Sequence, residues 1–379
     1  MTVRDAVAIV GVGTTEFGRL YRDRTTYRSA YSLGAQAFTA ALEDAGLERD
    51  DIDGLICARL PNYTRVADMI GLRRPSYCLS IDGAGRMSAV AVQLAIGAIQ
   101  SGMARAVALV YGNNGRSAGA SYGGEGGGGP TAHYDTAYGM TSPGAYVAMM
   151  YQRYRELYSV PDLALAPLAI NNRTHAMRNE NAVMRAPLTV EDYANSRFIA
   201  EPLRLFDYCL INDGGVAMIL TSTDIAAKLD RPMVTVRSTA SSGDLTNFYT
   251  SDDFFQESCE SVASRVFSAA GMTTKDVDCL QIYDNFTPTI LFSLEGFGYC
   301  APGTAWEWVR DGRIGLGGEI PVNTSGGHTS ESYMQGWALH VEAVRQLRGE
   351  AGARQVPDCE VVQYICAAPI TASHLLVRA

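Results

Sequence analysis

Apolar and polar positions along the chain fall into two sets of elements that follow one another in the same order. An unbroken apolar run, Val7-Ala8-Ile9-Val10-Gly11-Val12-Gly13, predicts a strand near the N-terminus. Helical spacing over residues 31–45 stops at Gly46, and the same spacing over 254–270 stops at Gly271, each glycine suiting a left-handed C-cap. Beyond each cap the residues recur in register: Ala45-Gly46-Leu47 to Asp51-Ile52-Asp53-Gly54-Leu55 matches Ala270-Gly271-Met272 to Asp276-Val277-Asp278-Cys279-Leu280. Both copies read as helix, short acidic turn and strand, so one supersecondary unit is used twice. The repeat continues. Ser80-Ile81-Asp82-Gly83-Ala84-Gly85 precedes a helical stretch and a strand over 106–111, and Asn323-Thr324-Ser325-Gly326-Gly327 precedes a helical stretch and a strand over 360–367. Each half is therefore expected to deliver a small-residue loop to the N-terminus of a buried helix, where backbone N–H groups favour developing negative charge.

The halves are assigned to residues 1–225 and 226–379, with a long insertion over about 113–202 in the first. The insertion opens on Tyr122-Gly123-Gly124-Glu125-Gly126-Gly127-Gly128-Gly129-Pro130, which lacks the spacing of a nucleotide-binding phosphate loop. Helical stretches follow over 144–158 and 164–179, and the region carries Arg153, Arg173, His175, Arg178, Arg185, Arg197 and Arg204. Such a cation cluster suits either a phosphorylated ligand or solvated helix faces.

Composition narrows the classes. The 379 residues, 47% hydrophobic and 19% charged, can bury a core and divide it between two domains, which excludes a disordered or fibrous chain. Net charge is -9, from 31 basic against 40 acidic residues, with no block of Lys or Arg, so nucleic acid is not an expected partner. No basic leader precedes the first strand, and the apolar stretch 84–99 contains Arg86 and Gln93 and falls short of the roughly 20 residues of a bilayer span. A cytoplasmic chain without a membrane partner is expected. The eight cysteines form no CxxC pair and have no His at ligand spacing, so neither a zinc site nor a disulfide framework is signalled.

A duplicated α/β chain with these loops resembles the thiolase superfamily along essentially its whole length, and more narrowly its lipid-transfer-protein or sterol-carrier-type branch. The residues that carry the resemblance are Val7 to Phe17 (VAIVGVGTTEF), Ser196 to Leu203 (SRFIAEPL), Tyr283 to Thr287 (YDNFT), and Val322 to Gly327 (VNTSGG) leading to VRQLRG at 344–349. The resemblance implies duplicated βαβαβαββ halves forming a five-layer αβαβα sandwich, a homodimer, and an acyl-CoA in the active site. Coenzyme A would belong to the substrate, with no separate cofactor and no metal. Arg173 and Arg178 are the candidate cationic contacts to it, with the backbone at Gly326 and Gly327.

Departures from the family pattern point to the chemistry. Where thiolases place a nucleophilic Cys, this chain has Gly83; Cys78, five residues upstream on a strand, is badly placed to be activated by the helix N-terminus. The G-H-P motif reads Ser332-Tyr333-Met334, and the Q-H-N motif of the sterol-carrier branch reads Gln363-Tyr364-Ile365, with Cys366 following. What remains resembles the side-chain-cleaving aldolases of steroid and bile-acid breakdown, which implies catalytic roles for Tyr283 and Tyr333. The implied substrate is a β-hydroxyacyl-CoA with its tertiary hydroxyl on a ring carbon, cleaved to a ring ketone and a short acyl-CoA such as propionyl-CoA or acetyl-CoA. That sub-branch also implies a small zinc-ribbon and OB-fold partner protein, giving a heterotetramer.

Retro-aldol cleavage needs the β-hydroxyl deprotonated and the resulting enolate protonated, with no covalent nucleophile. A phenol of ordinary pKa ~10 is a weak base at neutral pH, so the base needs a lowered pKa. Tyr333 is expected to start a helix whose dipole would supply this, making it the base, with Tyr283 as acid or enolate-side donor and the two exchangeable. His328 is the candidate relay or hydrogen-bond donor, Asp284 either orients a neighbour or caps the helix after Asn285, and Glu331 is an early-turn helix acid rather than a catalytic carboxylate. Two other readings stay open: an acyltransferase working through a cysteine such as Cys366, and a non-catalytic acyl-CoA-binding subunit.

Overall fold

In the strand Val7–Thr14 (β1), Val7 and Ile9 face one core and Ala8 and Val10 the opposite one, as the period of two in an extended chain requires. The structure, a computed structural model, describes residues 5–20, 29–82, 87–120, 140, 142–243 and 253–379. Residues 83–86 of the first helix-initiating loop, with the Gly83 position, and the Gly-rich run 122–130 lie outside these residues.

After β1 come Ala30–Ala45 (α1), Gly54–Ala58 (β2), Tyr63–Ile70 (α2), Tyr77–Ile81 (β3), Met87–Gln100 (α3) and Ala106–Asn114 (β4). The insertion contributes Pro143–Tyr158 (α4), Ala166–Ala176 (α5), Val190–Asn195 (α6) and the small hairpin Phe198–Ala200 (β5) with Leu203–Arg204 (β6). Asp213–Ser222 (β7) completes the first half. The second half runs Val234–Gly243 (β8), Gln256–Ala270 (α7), Cys279–Ile282 (β9), Pro288–Gly296 (α8), Trp337–Arg348 (α9), Val361–Cys366 (β10) and Ile370–Arg378 (β11).

The strand order is β3-β2-β4-β7-β1 in the first half and β8-β11-β10-β9 in the second, joined where β1 pairs briefly with β8 through Ala8↔Thr235 and Ile9↔Val234. Both halves repeat one pattern, since β2 lies parallel between β3 and β4 and β9 lies parallel between β10 and an isolated bridge to Val322. Val322 thus stands where β3 stands. The repeated turn also matches: Gly46 and Gly271 adopt φ 65 and 68, and Asp51 and Asp276 each accept from the backbone N–H three residues earlier.

The layers follow from the three cores. α1 and α2 cover the outer face of the first half through Phe38, Leu42, Leu55, Val66 and Val110. Helices α3 and α9 fill the middle, with Val92, Ile96, Trp337, Val341 and Val344 packed between strands of both halves. The third core joins α7, α8 and the second sheet to the insertion through Val262, Ile282, Phe292, Tyr154 and Leu165. Each large apolar side chain so buried is worth roughly 1.5–3 kcal/mol. Among the described residues no helix is long and apolar enough to cross a membrane.

Middle-layer burial forces polar residues to pair internally. In α9, Glu342 is gripped by Arg354 through Nε at 3.2 Å and Nη2 at 3.0 Å, and Arg348 donates to the Val10 carbonyl and to Asp44. Glu331 is not an early-turn helix acid. It lies in a single π-helical turn, Gly327–Glu331, buried and accepting from Asn179 Nδ2 at 3.0 Å and Ser325 Oγ at 2.7 Å. Burial, then the nearby Glu342 carboxylate, pushes its carboxyl up to about 7.

A carboxyl whose folded pKa is raised holds its proton more tightly when folded, so its contribution to stability is fully present below the unfolded value of 4.5 and is lost as pH rises through about 7. Glu331→Gln, which imitates the protonated acid, is expected to gain about 3 kcal/mol over the native chain between acid and mildly alkaline pH. Parallel denaturant melts read this difference; superimposable pH curves would show that Glu331 keeps no such proton.

Candidate active site

The site forms where the end of β9 meets the loop between Val322 and α9. Asn323 adopts φ 54 and uses its side chain as a surrogate strand, accepting from Ile282 N at 2.7 Å and donating to the Ile282 carbonyl at 2.9 Å. This aims Tyr283 at the loop. The hydroxyls of Tyr283 and Tyr333 lie 2.9 Å apart, with Tyr283 only 3% exposed. Two phenols separated by fifty residues in sequence share one hydrogen bond.

His328 packs edge-on against both, its ring centroid 4.7 Å from that of Tyr283 and 5.3 Å from that of Tyr333. Its Nε2 accepts from the Gly336 N–H at 2.9 Å, which fixes the proton of a neutral ring on Nδ1. Nδ1 stands 3.1 Å from Asp284 Oδ1, off the line of a good hydrogen bond. With Nε2 engaged by a backbone amide, the ring orients the tyrosines and has no free nitrogen turned to their hydroxyls.

Asp284 does not cap a helix: its carboxylate accepts from His328 N at 2.8 Å and Asn172 Nδ2 at 2.7 Å, while Thr287 occupies the N-cap of α8 without a side-chain cap bond. Gly327 is required beside it, since a Cβ there would come 2.4 Å from Asp284 Oδ2. Gly326 is pressed in the same way on Ala176. Both glycines serve close packing inside the protein.

Tyr333 does not start a helix. Ser332 ends the π-helical turn, Tyr333 follows in irregular chain with its N–H donated to Asn212 Oδ1 at 2.7 Å, and α9 begins only at Trp337. The expected dipole is thus a full turn away, too far to act strongly. Burial pushes the Tyr333 hydroxyl up, and burial with the neighbouring phenol pushes Tyr283 well above the usual range. The expectation of a lowered tyrosine pKa is overturned, because desolvation disfavours the charged phenolate.

The segment 208–212 escaped sequence reading. Tyr208 bridges Phe286, Cys209 N donates to the Asn285 carbonyl, Leu210 N to the His328 carbonyl, and Asn212 holds Tyr333. It stitches the YDNFT block to the loop. Asn172 was also missed, although it bridges Asp284 and Thr329 Oγ1. Only the polar run Asn171-Asn172 on an otherwise helical face could have flagged it.

Beside this seam lies a cavity of about 460 Å³ lined by Arg116, Arg173, Arg197, Phe206, Tyr208, Cys209 and Thr329 among others. Arg173 is buried, donates from Nε to Ser330 Oγ at 3.1 Å and lies over the Phe206 ring. Arg178 is exposed and does not line this cavity, and His175 is buried against the Asn323 carbonyl. Cys366 is fully buried on β10, and burial pushes the half-exposed Cys78 thiol up, away from the thiolate.

Comparison with known proteins bears on this geometry. The model of the thiolase N-terminal domain matches residues 7–224, and that of a thiolase C-terminal domain-like region matches 240–374. A steroid side-chain-cleaving aldolase of Thermomonospora curvata is 34% identical, covering 91% of this chain and 90% of its own. A 17-hydroxy-3-oxo-4-pregnene-20-carboxyl-CoA lyase of Mycobacterium tuberculosis is also 34% identical, covering 90% and 91%. The solved Ltp2-ChsH2(DUF35) aldolase superposes with a TM-score of 0.89 at 31% identity over 99% of this chain and 98% of that one. With both halves matched and aldolases aligned along nearly the full length, this chain belongs to the thiolase superfamily, in the sterol-carrier-type branch that includes the steroid side-chain-cleaving aldolases.

Proposed function

We propose that the protein is a carbon–carbon lyase cleaving a β-hydroxyacyl-CoA, of the steroid or bile-acid side-chain class, by retro-aldol chemistry. The products are a ring ketone and a short acyl-CoA such as propionyl-CoA or acetyl-CoA. The observation that carries this is the 2.9 Å contact between the buried Tyr283 and the half-buried Tyr333 in a chain that lacks the thiolase Cys and G-H-P histidine. Proton movement is what such a pair can do.

Because both phenols stay protonated, the base is the pair acting as a relay. The substrate β-hydroxyl passes its proton to one tyrosine oxygen as the Cα–Cβ electrons leave toward Cα. That tyrosine hands its own proton across the 2.9 Å bond, and the second protonates Cα of the departing thioester enolate. The β-carbon becomes the ketone, Cα gains one hydrogen, and neither phenol is left charged. Atoms and charge balance without an external acid, and either tyrosine can take either position. His328 and Asp284 set the ring orientations.

The acyl-CoA enters as substrate, and the cavity beside the seam supports this: its three arginines are concentrated positive charge in a chain of net charge -9. Arg173, with Arg116 and Arg197, is proposed to meet the coenzyme A end, a role the exposed Arg178 does not share. Two partners are proposed as well. Among the described residues β3 pairs only with β2, and its free edge suits pairing with a second copy. The two-component name of the Ltp2-ChsH2(DUF35) aldolase supports a second subunit, and the small zinc-ribbon and OB-fold protein that the family resemblance implies is proposed for that place, giving a heterotetramer.

Tyr283→Phe and Tyr333→Phe are each expected to lower kcat by roughly 10²–10⁴-fold, with the double variant no worse than the poorer single one. Mass spectrometry of ketone and short acyl-CoA from a panel of β-hydroxyacyl-CoA steroids reads this; native turnover in either variant would end the proposal. A raised phenol pKa extends the protonated range upward, so kcat/KM is expected to stay level from about pH 7 to about 9. A rising limb with a midpoint near neutrality would mean that a phenolate, rather than a neutral relay, is the base. Co-expression with the small partner is expected to give a co-eluting complex twice the mass of one pair, measured by light scattering, whereas a lone active monomer would remove both partner proposals.

A further inference from the structure

Tyr364 takes no part in the relay, yet it is wholly buried on β10 and its hydroxyl lies 3.0 Å from Ser88 Oγ in the first turn of α3. Its ring is stacked on His340 of α9, with centroids 3.9 Å apart and an interplanar angle of 29°. A buried hydroxyl of this kind could be replaced by phenylalanine for packing alone, so its direction matters. Both hydroxyl oxygens lie against Gly336. A Cβ on that glycine would stand 2.4 Å from the Tyr364 oxygen, 2.6 Å from Ser88 Oγ and 3.3 Å from Cδ2 of Tyr283.

Gly336 has φ 85, a left-handed conformation, and both of its peptide groups are engaged. Its carbonyl accepts from His340 Nδ1 at 2.9 Å, and its N–H donates to His328 Nε2 at 2.9 Å. That N–H is the bond fixing the His328 ring, which touches both catalytic phenols. A chain of contacts therefore runs from Tyr364 and Ser88 through the Gly336 peptide to His328 and on to Tyr283 and Tyr333. It joins a helix of the first half, a strand of the second and the loop between Val322 and α9.

We propose that Tyr364, paired with Ser88, is a positioning residue for the tyrosine relay: the two hydroxyls form a fixed floor under Gly336, and the Gly336 N–H holds His328 against both phenols. The inference rests on the retro-aldol reading of the site. The relay works only when its two oxygens keep a near-attack spacing, and misplacement by about 1 Å can cost on the order of 10²-fold in rate. A directional hydroxyl pair fixes the height of the glycine in a way that an apolar contact does not.

The test uses the complete enzyme with any partner it requires. Tyr364→Phe keeps the ring and removes the oxygen; kcat is expected to fall roughly 10–100-fold while KM stays within about twofold. Ser88→Ala is expected to shift kcat in the same direction by less, and carries the test should Tyr364→Phe fail to fold. In a His328→Ala background, Tyr364→Phe is expected to add no further loss, because the contact chain is already cut. Native kcat in folded Tyr364→Phe, or a full additional loss in the His328→Ala background, overturns the inference. Tyr333→Phe serves as the control. If it retains turnover, the retro-aldol reading itself fails; if it is inactive while Tyr364→Phe is native, only the positioning role fails.

Discussion

The hydrogen bond between Tyr283 and Tyr333 is the constraint around which the surrounding residues are arranged. In a desolvated site a phenolate is expensive, which favours the protonated form of both hydroxyls, and a pair of neutral phenols suits a relay of protons. The nearest carboxylate offers no alternative base. Asp284 is occupied by a backbone N–H and an Asn172 amide, and its remaining approach is taken by the His328 ring. The site's chemistry thus follows from which polar groups are already satisfied.

That pair can persist only if its supports are rigid, and the supports come from distant parts of the chain. The insertion is more than a surface decoration. Asp207, fully buried, accepts from Tyr193 of α6 and from Thr287 of the YDNFT block, so it ties the insertion to the segment that carries Tyr283. The 208–212 segment then closes the other side against His328 and Tyr333. The buried Asp207, Asp284 and Asn172 side chains each make hydrogen bonds across these segments, and each such bond narrows the geometry available to the phenols.

The duplication explains why a helix from each half lies in the middle layer, α3 from the first and α9 from the second, and the pairing of β1 with β8 sets the two halves side by side. Tyr283 sits at the end of β9, next to the isolated bridge that stands in for β3. At that position Tyr283 meets Tyr333, which stands where the family has the histidine of its G-H-P motif.

Much of this was legible in the residues alone. The repeated Ala-Gly and Asp-x-Asp spacing disclosed the duplicated unit because a left-handed cap and an N-terminal capping acid are local requirements, satisfied within a few residues. The loss of the family's sulfur at Gly83 and of its G-H-P histidine at Tyr333, beside Tyr283 in the YDNFT block, likewise stands in the sequence, and with it the shift from acyl transfer to proton transfer. What the chain could not announce was environment. The helix Trp337–Arg348 was expected to be buried, but the partners that make its Glu342, Gln346 and Arg348 tolerable there, Arg354, Thr324 and Asp44, arrive from elsewhere in the chain. For the same reason Glu331 departed from its expected part, and Asp284 took the orienting part in place of the cap. The sense of the tyrosine pKa shift was decided only by tertiary structure, since desolvation depends on every atom that excludes water, whereas the dipole invoked from sequence depends on a helix start that the fold places four residues further on.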